Sequence, residues 1–458
     1  MDLVQATTEL FSSPARSFPV RLWDGTRLPP ARDERLTGCV VLAHPRVLDG
    51  LLPPVSERRL AEAYLEGDLE LEGDIAGLLE AAARWEGPQL RPSLAPAILS
   101  IVARRGLTRE GASALAERLT GRLHSVARDR DAVRHHYDLS DAFYRLFLDR
   151  ALVYSCAYFE RGTESLEEAQ QAKLELCCRK LALREGERLL DVGCGWGALL
   201  AWAAERHQVD GLGITLSEHQ LEEARRRLAR IPGREVKALA LDYRRLVPDD
   251  RFHKAVSVGM MEHVGRENLD EYFSAVHRLL LPGGLFLNHA IADQTPGAST
   301  LPWASRGDGG FIQHDIFPDS DLVPLDLVIA AAGRAGFEVR DVESLREHYA
   351  ETLAIWLARL EGRMGEAVSL VGGRVARAYR LYLASSIASF RLGRISVFQL
   401  LLAKPDAAGR APGVPRCRGD WYLNLRPAAF KEVFCHAADD GKVGELGAAC
   451  VIFHQDGA

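Results

Sequence analysis

The chain has 458 residues, about three times the length allotted to one domain, so two or three domains are expected. Its composition, 47% hydrophobic and 26% charged, is that of a globular protein and excludes a collagenous, disordered or disulfide-stapled chain. A net charge of −6 argues against a protein that coats nucleic acid through a broad basic face, although the basic residues are lopsided, with fifty arginines to seven lysines.

The segment from Met1 to Arg16 lacks the basic-then-apolar pattern of a secretion signal, and no run of eighteen apolar residues occurs. Cys39, Cys156, Cys177, Cys178, Cys194, Cys417, Cys435 and Cys450 have neither zinc-site nor secreted-framework spacing, which predicts a reducing cytoplasm and no metal. From Ser17 to Trp85 short apolar runs alternate with turns: Phe18 to Leu22, Asp24-Gly25, Cys39 to Ala43, Leu60 to Leu65. Leu69 to Leu71 then lies between the turns Glu66-Gly67-Asp68 and Glu72-Gly73-Asp74. This predicts a small α+β domain. Pro88, Pro92 and Pro96 break the chain before Arg104 to Arg134, where eight arginines face four acids and Leu115, Leu119, Leu123 and Val126 fall at helical spacing. An amphipathic linker helix is the plain reading; a helix facing lipid headgroups is the sharper one.

After Ser165 a helix with the apolar stripe Leu174, Cys177, Cys178, Leu181 leads into a strand-helix alternation. Strands are predicted at 189–192, 209–214, 236–241, 255–259 and 285–292, with helices at 198–206, 217–231 and 267–281. That order implies a parallel sheet covered by helices on both faces, with ligands bound beyond the strand C-termini. Pro405 to Pro415 is a proline- and glycine-rich tail, and no element is predicted after Trp421.

The turn Asp191-Val192-Gly193-Cys194-Gly195-Trp196-Gly197 has neither the GxGxxG spacing of a dinucleotide site nor the Gly-Lys-Ser/Thr ending of a P-loop. Gly-x-Gly-x-Gly with an acid two residues ahead resembles the S-adenosylmethionine-binding turn of Rossmann-like methyltransferases. Asp191 is placed to accept from the methionine ammonium. Thr215 and Gln220, after the next strand, are available to the ribose hydroxyls, and Asp242 and Tyr243, after the third, suit the adenine amine and face.

Four motifs occur in order: Tyr154-Ser155-Cys156-Ala157-Tyr158-Phe159, the glycine turn itself, Ser257 to Gly265 with Glu262-His263, and Pro282 to Ile291 with Asn288-His289. With Ile316-Phe317-Pro318, His348-Tyr349 and Phe390 to Gln399, they resemble the cyclopropane-fatty-acyl-phospholipid synthases from about Ser17 to Tyr422. The resemblance implies an α/β, class I methyltransferase fold with a mostly parallel seven-stranded sheet. It also implies a lipid-binding α+β domain and linker over 1–130, a catalytic domain over 131–404 and a tail over 405–458. It implies S-adenosylmethionine and bicarbonate as cofactors: Tyr154, Ser155, Gly193, Gly195 and Gly197 join the cofactor residues above, and Cys156, Glu262, His289, the backbone of Ile291 and Tyr349 hold the bicarbonate. Several donors and one carboxylate suit an anion with a hydroxyl proton. The implied substrate is an unsaturated membrane phospholipid, met by a cytoplasmic homodimer lying on the inner face of the membrane.

Taken singly, each residue has a plainer reading: Cys156 as a small core hydrophobe, Glu262 as a helix cap, His289 as a core histidine, Tyr349 as a surface-helix aromatic. The same family set admits a methylene- or methyl-branching fatty-acid methyltransferase and, further off, a small-molecule N-methyltransferase or an inactive lipid-binding protein. The chain departs from the family pattern at Asp315, at Asp319-Ser320 where Asn-Gly or Gly-Gly is common, and at Ser385-Ser386. These departures bear on the acyl-chain contacts.

Overall fold

The computed structural model describes residues 2–31, 37–52, 55–89, 91–94, 96, 124–125, 128–129, 132, 139–247, 251–295, 301, 310–410 and 414–422, all within one unit spanning 1–426. Most of the Arg104 to Arg134 stretch, His136-Tyr137-Asp138 and all that follows Tyr422 lie outside the described residues.

In the N-terminal part, strands β1 (Val20–Arg21), β2 (Arg27–Leu28), β3 (Cys39–Leu42) and β4 (Leu69–Glu72) form a sheet in the order β2-β1-β3-β4. The β1/β3 pair is parallel and the others antiparallel. The turn residues act as their chemistry dictates. Gly67 at φ +83° closes the helix Glu57–Glu66 in the left-handed conformation, and Asp74 accepts from the Gly77 N–H at 3.0 Å to start the helix Ile75–Arg84. The helix Leu3–Leu10, not anticipated, carries its own signal, a capping box between Asp2 and Gln5.

The second sheet has seven strands. Five are those predicted from the sequence: β5 (Arg188–Val192), β6 (Asp210–Thr215), β7 (Val236–Ala240), β8 (Phe252–Val258) and β9 (Leu280–Asp293). The others are β10 (Glu338–Ser344) and β11 (Ile395–Ala403). The order is β10-β11-β9-β8-β5-β6-β7, parallel except for β11, which runs antiparallel to both its neighbours. Strand β5 has β6 on one side and β8 on the other, so the chain reverses its winding at the end of β5, where such sheets open a ligand crevice.

The helix Gly373–Arg391 joins the two parts. Arg374 pairs with Glu62 at 2.8 Å, Arg377 with Glu70 at 3.0 Å and Arg391 with Glu80 at 3.1 Å, while Arg380 donates to the Tyr64 hydroxyl at 3.0 Å. Each of these ion pairs is partly exposed and contributes under about 1 kcal/mol, so they orient the helix rather than hold it. Apolar burial holds it: Leu10, Phe18, Leu60 and Tyr64 belong to the same buried cluster as Phe143, Trp356, Tyr379 and Leu383.

Candidate active site

Around the end of β5 lies a cavity of about 1140 Å³, its mouth included. Gly193, Gly195 and Gly197 all have positive φ, at +83°, +53° and +77°. A Cβ on Gly195 would project into the open cavity, its nearest neighbour the Gln220 Nε2 at 3.9 Å, so the bare backbone there is what lets a ligand approach. Asp191 is 2% exposed, and its Oδ2 has no hydrogen-bond partner among the described residues. Burial pushes its carboxyl up to about 7, against the pull of Lys173. Lys173 is itself buried; its Nζ donates to Ser155 Oγ at 2.8 Å, and desolvation lowers its pKa. An anion-seeking ammonium and a cation-seeking carboxylate thus line one wall. That pairing suits an amino-acid zwitterion, so the residues fit S-adenosylmethionine.

Thr215 and Gln220 both line this cavity, but they are partly bonded to each other. The Thr215 hydroxyl donates to Gln220 Oε1 at 3.1 Å and accepts from the Ser217 N–H at 3.2 Å. Asp242 also lines the cavity, as the partner of Arg244, whose Nε and Nη2 reach its two oxygens at 2.8 and 2.6 Å. It offers adenine the remaining lone pairs of an oriented carboxylate. The Tyr243 ring is fixed edge-on against Tyr272 at 5.4 Å.

Tyr154, Ser155, Gly259 and His263 line this cavity and also a second one, of about 1120 Å³. Cys156, Glu262, His289, Ile291 and Tyr349 all face the second cavity, among Ile312, Phe317, Leu353, Phe390 and Val397. The segment bearing Tyr154 to Phe159 is held in place from two helices. Gln170 donates to Ser155 O at 2.8 Å, while Thr352 Oγ1 and His348 Nδ1 accept from the N–H groups of Ala157 and Phe159 at 3.0 and 3.1 Å. The Cys156 thiol is fully buried and donates to Ala157 O at 3.1 Å; burial raises its pKa, so it stays a thiol and is no nucleophile.

Glu262 sits on the single turn Met261–His263 after β8. Its Oε1 accepts from the Ile291 N–H at 2.8 Å, and its Oε2 is buried with no partner among the described residues. Burial pushes this carboxyl up to about 7, the Ile291 bond opposing. The Ile291 N–H is therefore engaged by Glu262. An extended residue points its N–H and C=O to the same side, which leaves the carbonyl as the backbone group available there. His289 is buried, and desolvation holds it neutral. Its Nδ1 accepts from Gln399 Nε2 at 3.2 Å, which puts the ring proton on Nε2, a buried atom with no protein partner among the described residues. Tyr349, on the helix Arg346–Gly362, packs inward between Phe390 at 4.9 Å and Trp356 at 6.2 Å. A donor at His289 Nε2 and a carboxyl oxygen at Glu262 Oε2, both unmatched, are what a small oxyanion bearing a hydroxyl would satisfy, so the residues fit bicarbonate.

Two contributors were not anticipated from the sequence. Lys173 had a signal, since it stands four residues before Cys177 and so shares the buried helix face. Gln399 closes the segment Phe390 to Gln399 that the resemblance singled out, but nothing there linked it to His289: it lies directly across the β9/β11 ladder from that residue, 110 residues away in sequence. The departure at Asp319 also finds its reason. Asp319 has φ +61°, the left-handed conformation that glycine, asparagine and aspartate tolerate, and Arg128 grips its carboxylate at 2.6 and 2.9 Å.

Known proteins share this fold. Residues 124–400 match the family model described as mycolic acid cyclopropane synthetase. A probable fatty acid methyltransferase from Pseudomonas putida is 38% identical over 404 residues, 88% of this chain and 95% of that one. Cyclopropane mycolic acid synthase 1 from Mycobacterium tuberculosis is 39% identical over 278 residues, 59% of this chain and 96% of its own. The crystal structure of mycolic acid cyclopropane synthase CmaA1 complexed with SAH and CTAB superposes with a TM-score of 0.58 at 38% identity, covering 60% of this chain and 98% of that chain.

Proposed function

Since the chain belongs to the mycolic acid cyclopropane synthetase family and is an S-adenosylmethionine-dependent methyltransferase, we propose that it alkylates the cis double bond of an unsaturated acyl chain on a membrane phospholipid, closing a cyclopropane ring with bicarbonate as base. The observation that carries this reading is the pair of unmatched buried atoms, Glu262 Oε2 and His289 Nε2, in an apolar cavity that shares a wall with the cofactor cavity. When bound, the sulfonium supplies the electrophilic methyl group and bicarbonate the base that ring closure needs. The protein supplies the rest. Asp191 and the Lys173–Ser155 pair orient the amino-acid end of the cofactor. Ile312, Phe317, Leu353 and Val397 keep water from the alkene, so that a cation on the chain is not captured by hydroxide. His289, fixed as the Nε2–H tautomer, donates to the anion, and Glu262, with a carboxyl near 7, exchanges a proton with it at neutral pH.

Among the described residues no helix is long and apolar enough to cross a membrane, and this reading places the enzyme at the bilayer surface, where its substrate is. Mass spectrometry of lipids from a host expressing the chain tests it. Phospholipids heavier by one CH2, resistant to hydrogenation, are expected; unchanged lipids would sink the proposal. A methylene branch, which a separate reductase would have to saturate, is the second reading, favoured by the fatty acid methyltransferase from Pseudomonas putida; it also adds one CH2 but keeps a double bond that takes up hydrogen, which tells the two apart.

A further inference from the structure

A third cavity, of about 820 Å³ with its mouth, lies between the N-terminal sheet and the helix Gly373–Arg391. Its walls come from both parts of the chain, Leu60, Ala61 and Ala82 on one side and Phe311 and Leu381 on the other, and almost all of its surface is hydrocarbon. It adjoins the reaction cavity along shared segments. Phe311 faces the third cavity and Ile312 the reaction cavity; Leu381 and Ser385 face the third, Tyr382 and Ser386 the reaction cavity; and Glu57 lines both. The single π turn Ile312–Ile316 helps place Phe311 and Ile312 on opposite sides. Apolar packing holds the helix Gly373–Arg391 against the N-terminal part, and Arg374, Arg377, Arg380 and Arg391 orient it there.

A double bond inside an acyl chain has hydrocarbon on both sides of it. The arm leading to the headgroup needs a route to polar surroundings, whereas the arm leading to the terminal methyl needs a space that is apolar and large. A cavity lined almost wholly by hydrocarbon has the character of a site for a hydrocarbon ligand. Resting on the function proposed above, we infer that the third cavity holds the methyl-terminal arm of the reacting acyl chain, and that its depth sets which double-bond positions are alkylated.

Trp85, in the cavity wall, is the reporter. Vesicles of a cis-unsaturated phospholipid brominated at the acyl terminus should quench the wild-type tryptophan fluorescence, and the quenchable component should be lost in Trp85→Phe. Equal quenching in both would overturn the inference. In parallel, Ala61→Phe and Ala82→Phe fill the cavity. Their kcat/KM should fall about tenfold for substrates with a long arm beyond the double bond and stay within about twofold for short ones. A uniform fall, or none, would also overturn it. The two readings separate cleanly: Trp85 quenching without any alkylation refutes the enzyme reading alone, and alkylation without Trp85 quenching or arm-length dependence refutes the cavity assignment alone.

Discussion

Replacing Glu262 by glutamine separates two consequences of its burial. The folded chain holds this carboxyl at about 7 against an ordinary value of 4.5. That difference costs the ionised folded state about 3 kcal/mol, at roughly 1.4 kcal/mol per tenfold change in proton affinity. The sign follows from linkage. Below 4.5 the group is protonated whether the chain is folded or not, and the two proteins have equal stability. Between 4.5 and 7 the unfolded wild type ionises while the folded one does not, so wild-type stability falls as pH rises; above 7 the deficit is complete. Glu262→Gln cannot ionise and keeps the Ile291 bond, so its stability advantage should grow through that window and then level off. Denaturant unfolding of both proteins across the window measures this. Turnover should move the opposite way, falling about a hundredfold or more as the proton acceptor is lost, with cofactor affinity unchanged, because Glu262 does not line the cofactor cavity. A stability difference that does not vary with pH would show that Glu262 is not desolvated, and wild-type turnover in the variant would remove it from the proton path.

Three further outcomes follow from the same geometry. Asp191 must be ionised to receive an ammonium, and in the empty protein its carboxyl lies near 7; calorimetric affinity for S-adenosylmethionine should therefore weaken as pH falls below about 7, while Asp191→Asn binds about tenfold to a hundredfold more weakly with no such pH dependence. Removing the amide that fixes the His289 tautomer, in Gln399→Leu, should lower kcat about tenfold to a hundredfold with cofactor affinity intact, and nitrogen NMR of the ring should show the Nδ1–H form; an unchanged ring spectrum would contradict the assigned role. Because burial keeps Cys156 a thiol, iodoacetamide should label the exposed Cys417 long before it labels Cys156, as peptide mass spectrometry would show; comparable rates at the two would refute the protonated, buried state.

The alternating half of the fold was legible because β5 to β9 and their helices are local, each marked by its own periodicity and turns. Strands β10 and β11 were not. They enter the sheet across long helical insertions, and nothing near Glu338 or Ile395 says that β11 will insert antiparallel between β9 and β10. The same division runs through the site. The glycine turn and Asp191 are nearly consecutive and could be read directly, and Glu262 and His289 stand at the ends of two predicted parallel strands, whereas Cys156 and Tyr349 were joined to them only by the family resemblance. Second partners were out of reach for the same reason. Gln399 becomes a neighbour of His289 only through sheet register, and the ion pair of Asp242 with Arg244, two residues on, needs the turn Tyr243–Arg245 to form.

The excess of arginine over lysine has a structural share. Four arginines of one helix orient it on the N-terminal part, and Glu57 of that part lines the reaction cavity. The family match begins at residue 124, and cyclopropane mycolic acid synthase 1, matched along 96% of its length, aligns with only 59% of this chain. The N-terminal wall of the third cavity therefore lies beyond what the family model describes. The glycine turn and Cys156, Glu262, His289 and Tyr349 belong to the shared segment 124–400; the strands of the additional sheet line the third cavity alone. Selection among substrates can then vary through the N-terminal part without disturbing Asp191, Glu262 or His289, because none of these three lines the third cavity.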